Sequence, residues 1–198
     1  MVEAVSATLG RLTLLLALFS FPTAAFAHRD DQYLQATLVI IEPDEVRLQI
    51  NLTPGIAVAE QVIAEIDRDR DGAISENEAA AYAESLKRDL TLRMNGRNLE
   101  LKLAAAEFAP PAELHTGSGT IRMEFAAIFG SLTAGPHRLT LENRHLPTTS
   151  VYLVNAAQPR SAMVQITRQK RNQNQSAAEI EFAFHSSRPK IAAAGGPT

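Results

Sequence analysis

One acidic segment constrains this chain more than any other part of its sequence. Asp67, Asp69 and Asp71 place carboxylates at alternate positions, Gly72 follows them, and Glu78 closes the segment. A glycine adopts positive φ without steric cost, so the chain can turn sharply at Gly72 and bring the later residues back beside the aspartates. A turn of this composition gathers oxygen ligands of the kind that a hard cation prefers.

The spacing of these residues is that of a twelve-residue loop that binds Ca²⁺. The ion takes about 6 to 8 oxygens, which such a loop supplies from positions 1, 3, 5, 7, 9 and 12. Position 7 gives its backbone carbonyl, position 9 coordinates directly or through water, and position 12 gives both carboxylate oxygens. The predicted calcium ligands are therefore Asp67, Asp69, Asp71, Ala73, Ser75 and Glu78.

The residues on both sides of the loop predict helices. Apolar residues before the loop recur at the spacing of one helical face: Ala59, Val62, Ile63 and Ile66. The same spacing follows the loop: Ala79, Tyr82, Ala83 and Leu86. Thr53 is expected to cap the first helix, with Pro54 at its first position, where a missing N–H costs nothing. The pattern predicts a helix-loop-helix.

From about residue 59 to residue 86 the chain resembles the EF-hand family, with a suitable residue at every ligand position. The resemblance implies Ca²⁺ binding by the six predicted ligands. EF-hands usually occur in pairs that join at the position of Ile74, and the sequence has no second such loop. Either two molecules pair, or Ile74 packs on the rest of the chain. Arg68 and Arg70 reduce the negative charge, so the expected Kd is about 10⁻⁴ to 10⁻³ M, as in extracellular modules.

Outside the helix-loop-helix the apolar residues alternate, which predicts β-strands. Val46 to Leu52 alternates strictly and follows a β-rich run, 33–41, across a turn at 42–44. Asn95-Gly96 is a strong hairpin signal. Other strands are expected around 99–103, 121–125, 139–141, 151–154, 163–166 and 180–184. About nine short strands favour a mainly β fold, an antiparallel β-sandwich that includes the immunoglobulin-like type, with the EF-hand inserted at residues 54–90.

The ends of the chain predict an exported protein. Arg11 precedes an apolar run, 12–21, and Ala25-Phe26-Ala27 fits a cleavage site, so residues 1–27 are predicted to be a signal peptide, with an uncleaved membrane anchor as the alternative. The β domain is then 28–185, and 186–198, rich in Ala, Gly and Pro, is expected to be disordered. The location would be periplasmic or secreted.

Composition restricts the classes of function. The chain has no cysteine, so disulfides cannot stabilise it, and its net charge of −3 gives no basic field for nucleic acid. It also lacks the sequence motifs of a catalytic nucleophile beside a base. The leading hypothesis is thus a non-enzymatic calcium-binding module that contacts an unidentified envelope protein. A hydrolase with a supporting calcium ion is an alternative.

The arrangement as a whole resembles bacterial exported domains that carry one EF-hand within a β body. Some of these precede membrane regions of the hydrogenase/urease accessory type, and no such region is found in this sequence. The likeness rests on the signal peptide, the start at 28–35, the position of the loop and the run 150–155.

A second hypothesis is a copper-binding accessory protein. Cleavage after Ala27 would make His28 the first residue, and its amine and ring could bind Cu(II) or another metal that imidazole suits. A second histidine would complete the site, from among His115, His137, His145 and His185. A basic cluster at 168–171 is expected to be the solvated loop of the last hairpin.

Overall fold

A computed structural model describes residues 31–186, and within them the chain forms ten strands and three helices. The strands are β1 (Tyr33–Ile41), β2 (Glu45–Pro54), β3 (Leu90–Met94), β4 (Arg97–Asn98), β5 (Lys102–Glu107), β6 (Ile121–Ile128), β7 (Gly135–Asn143), β8 (Ser150–Ala156), β9 (Val164–Arg171) and β10 (Ala177–Phe184). The helices are α1 (Ile56–Ile66), α2 (Glu76–Asp89) and α3 (Pro111–His115). The predicted signal peptide, His28 and all of the predicted tail except Ser186 lie outside the described residues. None of the helices within 31–186 has the length and apolarity to cross a bilayer.

The strands form two five-stranded sheets. The first has the order β5-β6-β2-β1-β8 and the second the order β4-β3-β7-β10-β9. Neighbouring strands are antiparallel, except that β1 and β8 are parallel, with Tyr33 beside Ser150 and Val39 beside Ala156. The mainly β prediction is therefore confirmed, and only the β1–β8 pair departs from the antiparallel pattern.

One apolar core lies between the sheets. The alternating residues of β2 that were expected to point inward are fully buried: Val46, Leu48, Ile50 and Leu52. They belong to the same core as Leu139, Ile180 and Phe182 of the second sheet. Because successive side chains of a strand point to opposite faces, this alternation gives each sheet one buried face and produces a sandwich.

Helices α1 and α2 lie between β2 and β3 in the chain, where the insertion was predicted. Helix α1 buries its predicted apolar face, which consists of Ala59, Val62, Ile63 and Ile66. Helix α2 buries Tyr82, Ala83 and Leu86. The predicted cap at Thr53 is wrong, because β2 pairs with β1 as far as Pro54 and the N-cap is Gly55. The Thr53 hydroxyl instead lies 2.9 Å from that of Thr120.

The strand expected around residues 99–103 is only partly present, because residues 99–101 belong to neither sheet. The turn at Asn95-Gly96 forms with positive φ at both residues, and β4 follows it in the second sheet. However, β4 ends at Asn98, and β5 begins at Lys102 in the first sheet. A single strand cannot pair in both sheets, so residues 99–101 cross from one to the other, and Leu101 is buried at the crossing.

The basic cluster at 168–171 is in strand β9, so the prediction of a loop there is wrong. These residues pair with β10, and the loop of this hairpin is 172–176. The Nε atom of Arg171 donates a hydrogen bond of 2.5 Å to the carbonyl of Val154, and its guanidinium also contacts the side chain of Asn155. Arg171 thus connects β9, at the edge of the second sheet, to β8, at the edge of the first.

Candidate metal centre and the neighbouring polar cluster

The acidic loop, residues 67–78, joins the end of α1 to the start of α2. Two of its residues have left-handed backbone conformations, Arg70 with φ 61° and Gly72 with φ 81°. The positive φ predicted for Gly72 is confirmed. The positive φ of Arg70 is unexpected, because this conformation costs a residue with a Cβ about 1 kcal/mol or more.

The turn brings the three aspartates together. Asp67, Asp69 and Asp71 each offer a carboxylate oxygen, and these oxygens lie within 4.8 Å of one another. Asp67 is buried, whereas Asp69 and Asp71 are exposed. Backbone N–H groups hold the carboxylate of Asp67, with Asp71 donating at 3.2 Å and Gly72 at 3.0 Å. The loop therefore orients its own acidic groups.

Glu78 joins the two ends of the loop. Its Oε1 accepts a hydrogen bond of 2.7 Å from the N–H of Arg68, and its Oε2 accepts from the N–H and the hydroxyl of Ser75 at 3.0 and 2.8 Å. Ser75 in turn accepts from the N–H of Glu78, which completes a capping box at the start of α2. The hydrogen bonds from Ser75 and, to a smaller degree, those from Arg68 and Asp69 lower the pKa of Glu78 to about 2.

The four predicted carboxylate ligands thus fall into two groups. The three aspartates form one cluster, while the carboxylate of Glu78 is held by backbone N–H groups outside it. Ala73 and Ser75 are exposed in the same loop. A backbone hydrogen bond from Asp71 lowers the pKa of Asp69, but partial desolvation by neighbouring groups and the negative charges of Asp71 and Glu78 outweigh it, and the pKa is raised. Like charges at this distance repel, and a cation between them would remove that repulsion.

The loop also contacts the body of the protein. Ile74 is partly buried and packs against the apolar core. Of the two possibilities that the sequence leaves open for this residue, packing within its own chain is the one observed.

A largely buried group of polar residues lies beside the helices, and it was not predicted from the sequence. We call it the polar cluster, and it consists of Tyr33, Gln35, Tyr82, Asp89, Asn143, His145 and Tyr152. In its first half, the hydroxyl of Tyr82 lies 2.7 Å from that of Tyr33 and 3.1 Å from Nε2 of His145. Nδ1 of His145 lies 2.8 Å from Oδ2 of Asp89. Helix α2 is therefore attached to β1 and to the β7–β8 connection.

The second half of the polar cluster fixes the backbone around His145. Asn143 donates to Gln35 at 2.9 Å and accepts from the N–H of His145 at 2.9 Å. The carbonyl of His145 accepts from Gln35 and from the hydroxyl of Tyr152, both at 2.8 Å. Each of these buried polar groups has a partner, as a buried network requires.

The hydrogen bonds determine the tautomer of the neutral imidazole of His145. A carboxylate only accepts, so Nδ1 carries the proton toward Asp89, and Nε2 of the neutral ring accepts from Tyr82. Burial lowers the pKa of His145, although the hydrogen bond to Asp89 and the charges of Asp89 and Glu65 act in the opposite direction. Burial also raises the pKa of Tyr33 well above 10.0.

The histidines considered for a copper site differ in whether their ring nitrogens already have hydrogen-bond partners. Both ring nitrogens of His137 are engaged, with the amide of Asn95 at 2.9 Å and the carbonyl of Thr133 at 2.7 Å. Those of His145 are engaged in the polar cluster. His115 lies 3.6 Å from the carboxylate of Glu60. Within residues 31–186, His115 and His185 are left as candidates to complete a site with His28.

A scan against models of protein families finds no match to this chain, and a search of curated proteins finds none either.

Proposed function

We propose that this protein is a non-enzymatic calcium-binding protein whose helix-loop-helix is an EF-hand and whose ion is held by the acidic loop. The observation that carries the proposal is the meeting of three aspartate oxygens within 4.8 Å in the loop. These hard oxygen donors suit Ca²⁺, and nitrogen and sulfur donors, which favour transition metals, are missing from the loop sequence. Asp67, Asp69, Asp71, Ala73, Ser75 and Glu78 would hold the ion.

The proposed role of the ion is structural. It would neutralise the aspartates and fix α1 relative to α2, both of which pack on the sandwich. At a calcium concentration about ten times its Kd, the ion would add about 1.4 kcal/mol to the free energy of unfolding. The packing of Ile74 on the chain's own core supports a single loop that works without a second one.

The location and the partner are also proposals. The leader-like residues 1–27 support export to the periplasm or the medium, where calcium is plentiful. We further propose that the module contacts an envelope protein, and that its sandwich is of the immunoglobulin-like type. Mass spectrometry of the exported protein would show whether the chain is cleaved after Ala27, and a pull-down with and without chelator would test the partner.

Calorimetry on the mature protein tests calcium binding. Asp67→Ala and Glu78→Gln should each raise the Kd by about tenfold or more, because each removes a charged ligand from a small set. Glu76→Gln is the matched control, since it removes one charge from the same segment without removing a predicted ligand. Its Kd should rise by less than about threefold, because an exposed charge is screened.

Two outcomes would overturn the proposal. One is that millimolar calcium chloride gives the wild-type protein neither a heat of binding nor a higher Tm. The other is that Glu76→Gln weakens binding as much as Asp67→Ala, since the acidic loop would then act only through its total charge.

A further inference from the structure

Helix α2 is in contact with both the acidic loop and the polar cluster. Glu78 lies in its first turn, Tyr82 one turn later and Asp89 at its end. At 100° per residue these positions fall on one side of the helix. The side chains that close the acidic loop and those that attach the helix to the sandwich therefore belong to one rigid element.

We propose that proton uptake by His145 opposes calcium binding in the acidic loop, and that helix α2 carries this coupling. The inference rests on the proposed function, because it concerns the regulation of the same site. The coupling requires that the observed position of α2 favours both the neutral form of His145 and the loop conformation that binds calcium.

The direction of the hydroxyl hydrogen bonds explains why the proton disturbs this helix. When His145 is neutral, Tyr33 donates to Tyr82, and Tyr82 donates to Nε2 of His145. A proton on Nε2 forces His145 to donate to Tyr82, so Tyr82 loses Nε2 as an acceptor and, among residues 31–186, has only Tyr33 left to donate to. Among residues 31–186, the hydroxyl of Tyr33 has no other hydrogen-bond partner than Tyr82. The two hydroxyls cannot both donate to each other, so one of their two hydrogens would be buried without an acceptor, a state that displacement of α2 would relieve.

The groups that face His145 give two opposing effects. Asp89 on α2 and Glu65 on α1 are acidic and favour the protonated ring, while Tyr82 on α2, Tyr33 on β1 and Tyr152 on β8 are neutral hydroxyls. The side chain of His145 is only 3% exposed, and burial disfavours its charge. Burial outweighs the two carboxylates, and the pKa of His145 is lowered.

Thermodynamic linkage makes the coupling reciprocal. If protonated His145 weakens calcium binding, then calcium must lower the pKa of His145 by the corresponding amount. A fall of about half a pKa unit would correspond to calcium binding about threefold weaker in the protonated form.

The primary test is an NMR titration of the imidazole of His145 in the mature protein, without calcium and with saturating calcium chloride. The pKa of His145 should fall by about half a unit in calcium. Asp67→Ala is the matched control, because it removes a calcium ligand and leaves the polar cluster intact. At the calcium concentration that just saturates the wild type, the His145 pKa of this variant should fall by less than in the wild type, because its Kd is at least about tenfold higher.

Calorimetry provides a second readout. The calcium Kd is measured at about pH 7.5 and about pH 5, on either side of the ordinary pKa of histidine. The Kd of both the wild type and His145→Gln should rise in acid, because protons compete with a metal ion for its ligands. The rise should be about two- to threefold larger in the wild type, where His145 also titrates. If His145→Gln does not fold, the NMR titration of the wild type decides.

The outcomes separate the two proposals. An unchanged His145 pKa in calcium, with equal rises of Kd in wild type and His145→Gln, would overturn the coupling alone. An equal pKa shift in Asp67→Ala would also overturn it, because calcium would then act away from the loop. No calcium binding at about pH 7.5 would overturn both proposals.

Discussion

The acidic loop and the polar cluster are the two polar sites beside helix α2, and they are built in opposite ways. The loop is largely exposed, and its hydrogen bonds join residues at most ten positions apart in the chain, as from Arg68 to Glu78. The polar cluster is largely buried, and five of its hydrogen bonds join residues 49 to 110 positions apart, as from Tyr33 to Tyr82 and from Gln35 to His145; only the two that Asn143 and Tyr152 make with the backbone of His145 are local. The acidic loop can form whenever its own segment folds, whereas the polar cluster forms only once both sheets are assembled.

This difference predicts different energetic roles. Exposed polar groups of the loop can exchange a lost partner for water, but buried groups of the cluster cannot. The loop should therefore determine calcium affinity with little effect on apo stability, and the polar cluster should determine stability. The following measurements, in the presence of chelator, test this difference between the loop and the polar cluster.

The largest effect is expected for Asn143→Ala. The substitution leaves the Oε1 atom of Gln35 and the N–H of His145 without partners, and both are buried. The free energy of unfolding, measured by urea denaturation, should fall by about 2 to 4 kcal/mol. Asn98→Ala is the control, because this exposed side chain accepts from Arg93 at 2.9 Å. It should cost less than about 0.5 kcal/mol, and comparable losses in the two variants would contradict the contrast.

A smaller effect is expected from acid, and the two regions should respond in different pH ranges. The pKa of His145 is lowered in the folded protein from its ordinary 6.5, so the unfolded chain takes up this proton first. Stability should therefore begin to fall as the pH drops below 6.5 and should stop falling at the lowered pKa of His145. Glu78, with its pKa lowered from 4.5 to about 2, contributes a loss only below pH 4.5.

Urea denaturation over a series of pH values would separate these two ranges. His145→Gln should make the free energy of unfolding less dependent on pH in the upper range. Glu78→Gln should do the same in the lower range. If His145→Gln left the upper range unchanged, another group would be responsible for it.

The smallest effect concerns the backbone of the loop. Arg70→Gly removes a side chain from a residue with φ 61°. Relief of the left-handed conformation, partly offset by the greater freedom of glycine in the unfolded chain, should raise the free energy of unfolding by up to about 1 kcal/mol. Arg68→Gly removes the same charge where φ is not positive, and it should lower stability by about 0.5 to 1 kcal/mol. Equal changes in Tm for the two variants would show that charge, not conformation, governs this loop.

The contrast also explains how much could be predicted from the sequence. The alternation of β2, the buried face of α1 and the meeting of the three aspartates depend on residues close in the chain, and each is found as predicted. The face of α2 is also buried, except that Ala79 is only partly covered. The break at 99–101, the parallel β1–β8 pair and the extension of β2 to Pro54 depend on which strands become neighbours. Local patterns do not contain that information.

The polar cluster was missed for the same reason. One local signal was available, since Gln35 and Thr37 occupy inward positions of β1 between Tyr33 and Val39. A buried amide requires partners. However, the sequence could not identify Asn143 and His145 as those partners, because they lie more than a hundred positions away.

The contact from Arg171 to β8 has a consequence for how the edge of the first sheet behaves in solution. Strand β8 is an edge strand of the first sheet. The unpaired backbone groups of an edge strand can pair with a strand of another molecule. The guanidinium already occupies the carbonyl of Val154 and adds a positive charge there. An incoming chain would have to displace it, and so this edge resists self-association at high protein concentration.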